Sequence, residues 1–97
     1  MYRLRLICKG VPEAVAGDGA LEISCEFAVH RTWWENVTCR WDGTNLVLEA
    51  DSDFDSDGTA LLDEFSDCVA AFVEGQFSYD ISVESVTSVM GSDPSFP

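Results

Sequence analysis

Ala20-Leu21-Glu22-Ile23-Ser24-Cys25-Glu26-Phe27-Ala28-Val29-His30 is the stretch on which the fold turns. Leu21, Ile23, Cys25, Phe27 and Val29 alternate with Glu22, Ser24 and Glu26. A period of two marks a strand with one buried and one wet face, so residues 20–30 are expected to form a strand. Just upstream, Gly10 to Gly19 holds Pro12, Gly17 and Asp18-Gly19, which predicts a loop. Before it, Tyr2–Lys9 places Tyr2, Leu4, Leu6 and Cys8 on one face of a first strand.

Downstream, Arg31–Glu35 is a short connection carrying Trp33-Trp34, and Asn36–Asp42 reads as a third strand with Val37, Cys39 and Trp41 inward. Asp42-Gly43 signals a turn, which predicts a hairpin to a strand over Leu46–Ala50. Residues 51–58 form an acidic loop. Thr59–Glu74 is the one helix expected. Leu61, Leu62, Phe65, Cys68, Val69, Phe72 and Val73 make a broad apolar stripe, and Asp63, Asp67 and Glu74 lie opposite. Gly75 closes it. Gln76–Val86 alternates again, with Phe77, Tyr79, Ile81 and Val83 on one face. These elements predict an α+β fold: an antiparallel sheet of about five strands with one helix packed on one face, in the order ββββαβ. One domain would span residues 1–90, with a loose tail over 91–97.

The chain has 97 residues, 46% of them hydrophobic, enough for one modest core. No apolar run approaches the roughly 18 residues that span a bilayer. Met1-Tyr2-Arg3-Leu4-Arg5-Leu6 alternates charge and apolar residue, unlike a signal peptide, so a cytoplasmic protein is expected. Cys8, Cys25, Cys39 and Cys68 show no CxxC spacing and there is a single histidine, which argues against zinc and for reduced core thiols. No nucleophile elbow, phosphate loop or acid–base constellation stands out, so the expectation is a protein that is not an enzyme.

Net charge is −13 and unevenly spread. All five cations (Arg3, Arg5, Lys9, Arg31, Arg40) precede residue 41, where five acids balance them. Residues 41–97 carry 13 acids and no Lys or Arg. This argues against direct binding to nucleic acid or anionic membrane, and favours a basic partner, a cation or plain solubility.

Asp53-Phe54-Asp55-Ser56-Asp57-Gly58-Thr59-Ala60-Leu61-Leu62-Asp63-Glu64 fits the D-x-D-x-D-G-x5-E pattern and resembles an EF-hand loop. The resemblance implies calcium held by Asp53, Asp55 and Asp57, the Thr59 carbonyl and a bidentate Glu64. The segment before it reads as a strand rather than the incoming helix. The other reading takes the acids as a surface: Asp51, Asp53, Asp55, Asp57, Asp63, Asp67 and Glu74 would bind a partner, anchored by Trp33 or Trp34. In size, charge and layout the chain resembles small acidic inhibitors of bacteria and phages, such as immunity proteins and anti-CRISPR proteins that mimic DNA. That resemblance implies an acidic protein-binding module that blocks a basic, nucleic-acid-binding protein such as a nuclease, with no cofactor. Calcium binding by residues 53–64 is the alternative.

Overall fold

The computed structural model describes residues 1–73 and 75–88, so Glu74 and the expected tail over 91–97 lie outside the described residues. Strand β1 (Tyr2–Lys9) leads into helix α1 (Glu13–His30); strands β2 (Glu35–Trp41) and β3 (Leu46–Ser52) follow; helix α2 (Thr59–Phe72) then leads to strand β4 (Asp80–Ser88). The four strands form one antiparallel sheet in the order β2-β3-β1-β4. The α+β class and the antiparallel sheet are as expected. The element count is not: there are four strands and two helices, in the order βαββαβ.

The difference lies in residues 13–30. The expected loop over 10–19 and strand over 20–30 are replaced by one 18-residue helix. The physical reason is that the alternating run contains two helical stripes. Ile23 and Phe27, with Ala16 and Ala20 one and two turns earlier, are buried. Leu21, Cys25 and Val29 form a second stripe at a spacing of four, and it points to solvent. Because both stripes are apolar, the helix looks like a strand when read two residues at a time. Ala14, Ala16, Ala20, Glu22, Glu26 and Ala28 are all residues that favour helix, and Pro12 sits at the N-cap in extended conformation. Gly17 and Gly19, which suggest a loop, lie inside the helix. Gly19 has a packing reason, since a Cβ there would stand 2.8 Å from Val73 Cγ2. Only hydrogen at that position lets α1 approach the end of α2.

A helix here also changes the topology. The strands β1 and β2 both run antiparallel to β3, and so parallel to each other. Joining parallel strands needs a crossover of about a dozen residues or more, which α1 supplies. The helix α2 does the same between β3 and β4, which flank β1. Two such interleaved crossovers give the ferredoxin-like, split βαβ arrangement, in place of the expected ββββαβ order with its single helix. The final strand also begins later than the predicted residue 76, at Asp80.

Both helices lie on one face of the sheet. Leu4, Leu6, Cys8, Leu46, Leu48 and Ala50 point at them and are fully buried with Ile23, Phe27, Leu61 and Phe65. The other face carries an ion ladder. Arg3 pairs with Asp51 at 2.9 Å, and Arg5 with Glu49 at 2.9 Å and with Glu84. Being partly exposed and screened by solvent, these pairs contribute little to stability.

Three of the four thiols are in the core, and all four are free. Burial pushes Cys39 up to about 12, helped by the nearby Cys68 and Cys8 thiols, and pushes Cys8 and Cys68 up to about 11. Cys25, expected to face inward on a strand, is exposed on α1. One thiol per chain should therefore react quickly with a chromogenic disulfide at neutral pH, and four after denaturation; a Cys25→Ser variant should lose the fast phase. A raised folded pKa favours the neutral thiol, so this stabilisation is complete below the unfolded value near 9 and is lost as pH rises towards 11 to 12. The urea midpoint should fall between neutral pH and about pH 10; an unchanged midpoint would refute the assignment.

Candidate functional site

The acidic loop between β3 and α2 is built from its own side chains. Ser52 is buried, and its Oγ accepts the N–H groups of Phe54 and Asp55 at 3.1 Å each. This hydroxyl turn ends the strand. The carboxylate of Asp55 is only 4% exposed and reaches forward under the first turn of α2. Its Oδ2 accepts the Leu61 N–H at 2.9 Å and its Oδ1 the Ala60 N–H at 3.3 Å. Asp55 thus satisfies two of the N–H groups that a helix leaves unpaired at its start, and sits where the helix dipole favours negative charge. Asp57 Oδ1 accepts the Thr59 N–H at 3.0 Å and the Thr59 hydroxyl at 2.7 Å. Those two bonds hold its carboxyl below the usual range. Gly58 takes φ +83°, and a Cβ on it would stand 2.9 Å from Val83 Cγ2. The position therefore needs glycine on two counts.

The residues of the EF-hand-like pattern are thus dispersed. Asp55 turns towards the helix backbone and Asp57 towards Thr59. Glu64 points across to the connection after α1, where Oε1 accepts from Arg31 at 3.0 Å and Oε2 from Trp33 Nε1 at 3.1 Å. Asp53 is exposed. Among the described residues, no group of three or more His, Cys, Asp or Glu side chains is placed to hold a metal ion.

Arg31 is the clamp of this region, and the charge pattern of the sequence does not single it out. Besides Glu64 it bonds Glu26 at 3.1 Å, and its guanidinium lies 5.8 Å from the Phe27 ring centre. Burial works against its charge, but the bonds to Glu64 and Glu26 outweigh that and raise its pKa. The two tryptophans separate. Trp34 is buried with its Nε1 unpaired among the described residues, and its ring meets Phe54 at 5.1 Å between centres. Trp33 is 53% exposed and Phe54 55%. Phe54 lies hidden in the calcium-like pattern, and its exposure could not be foreseen from an acidic loop.

The structure sorts the acids. Asp51, Glu49, Glu84, Glu26 and Glu64 are paired with arginines. Asp51 belongs to the open sheet face and also accepts from Asn36 at 2.7 Å. Asp53, Asp57, Asp63 and Asp67 are exposed and make no ion pair among the described residues. Trp33 is tied to α2 through Glu64, and Phe54 belongs to the loop itself. The result is an uncompensated acidic surface with two exposed aromatic rings beside it. Comparison with protein-family models, curated proteins and solved structures finds no match for this chain. No helix among the described residues is long and apolar enough to cross a membrane.

Proposed function

We propose that this chain is a binding module that occupies a basic, nucleic-acid-binding protein. It would dock through the loop 53–58, the exposed face of α2, and Trp33. The observation that carries the reading is the sorting of acids: Asp53, Asp57, Asp63 and Asp67 stay free of arginine next to exposed Trp33 and Phe54. Carboxylates spaced along a rigid helix present charge much as a phosphate backbone does. They steer a cationic partner into contact, and an aromatic ring then supplies desolvated contact area. Asp55 and Trp34 support this surface from beneath rather than joining it. The calcium alternative has no comparable support, since Asp55 and Glu64 are committed to different partners.

In a pull-down from the native host, the captured protein should be basic, and its association should slow as salt rises, because the Debye length shrinks to about 3 Å near 1 M. Reversing Asp53, Asp63 and Asp67 together to Lys should abolish capture with the fold intact, since these side chains face water. Trp33→Ala should speed dissociation more than it slows association. Full capture by the triple variant, or an acidic partner, would overturn the reading.

A further inference from the structure

Among the described residues, no other element covers the outward stripe of α1. Leu21 is 68% and Val29 65% exposed, and Cys25 lies exposed between them. Together with the half-buried Phe72 of α2 they line two adjoining depressions of about 290 and 370 Å³. The two share Leu21, Glu22 and Phe72, so they form one groove running from Val15 to His30. At 1.5 Å per residue the groove is about 22 Å long, some four helical turns. Beside the apolar stripe at 21, 25 and 29 runs an acidic one at 18, 22 and 26. Glu26 is bound to Arg31, which leaves Asp18 and Glu22 as the free carboxylates of the rim.

We infer that this groove is a docking site for a basic amphipathic helix. Its apolar residues, spaced three or four apart, would pack on Leu21, Cys25, Val29 and Phe72. Its Lys or Arg residues would lie against Asp18 and Glu22. Charge complementarity selects this occupant. A second copy of the chain would set Asp18 and Glu22 against their own equivalents, with a net charge of −13 on each side. The groove goes beyond the surface of the proposed function, since it uses none of Asp53, Asp57, Asp63, Asp67 or Trp33.

The test uses fluorescein-labelled synthetic helices of Leu and Lys about 16 residues long, read by anisotropy. A Leu–Glu helix and an oligolysine of equal charge serve as comparisons. The Leu–Lys helix should bind, and the other two should bind at least about tenfold more weakly. Leu21→Ser and Val29→Ser should each weaken binding about tenfold, as each removes a buried apolar contact. Reversal of Asp18 and Glu22 to Lys should weaken it at least as much. Bound peptide should slow reaction of Cys25 with a thiol reagent several-fold in the unaltered chain, a readout independent of any variant's folding. Reversal of Asp53, Asp63 and Asp67 should change peptide affinity by less than about threefold, through long-range charge alone. This keeps failure of the groove apart from failure of the acidic surface. Equal binding of oligolysine, indifference to Leu21→Ser and Val29→Ser, or a dimer in sedimentation that those changes dissociate would each overturn the inference.

Discussion

Replacing Phe27 with Ala should cost about 4 kcal/mol of unfolding free energy. Leu21→Ser and Val29→Ser should each cost less than about 0.5 kcal/mol. All three residues lie on the same side of an alternating run and would be equivalent in a strand. In the helix they are not: Phe27 is 1% exposed in the core beside Ile23, whereas Leu21 and Val29 face solvent. The loss at Phe27 combines transfer of a large ring to water with a cavity that the sheet cannot close. Against a typical domain stability of roughly 5–15 kcal/mol, that change alone approaches unfolding. Urea denaturation of the three variants gives the answer directly. Comparable losses at all three positions would restore the strand and refute the helix.

Asp55→Ala should rank next, at about 3 kcal/mol. Two N–H groups at the start of α2 would lose a charged acceptor in a place where little water can replace it. Asp55→Asn should recover part of the loss, because its amide oxygen still accepts one bond. The loss should be the same in chelator and in millimolar calcium. A calcium ligand would behave differently: unaltered protein would gain stability with calcium by mass action, and the variant would not. A calcium-dependent gain abolished by Asp55→Ala and by Glu64→Ala would reinstate the EF-hand-like reading of residues 53–64.

Much of the fold was legible where one residue pattern dominated. The strand at Tyr2–Lys9, the hairpin around Asp42-Gly43 and the helix from Thr59 each show one clean period, and the structure has them within a few residues. Residues 13–30 were not legible, because an apolar stripe left outside the core completes a false alternation with the one inside. A groove-lining face thus carries a sequence pattern that imitates a strand. At the candidate site, the acidic excess after Arg40 could be read directly. Its division into paired, capping and free carboxylates could not. That division depends on where Arg3, Arg5 and Arg31 land, and all three reach acids 33 to 79 residues away. Trp33 and Trp34 read alike in sequence; only the tertiary position of Phe54 and Glu64 separates them.

The central place of β1 in the sheet has a consequence for how the chain is made. Its partners on one side begin at Leu46, and on the other at Asp80, with Tyr2 opposite Ser88. On a ribosome adding about 5–20 residues per second, the first strand waits on the order of several seconds for its last neighbour. Throughout that interval it exposes an unsatisfied hydrogen-bonding edge of the kind that recruits other nascent chains. The sequence Arg3-Leu4-Arg5 with Lys9 places positive charge along that waiting edge. The arginines that later meet Asp51, Glu49 and Glu84 are made before any of those acids, and unpaired positive charge on a strand disfavours its pairing with a like strand.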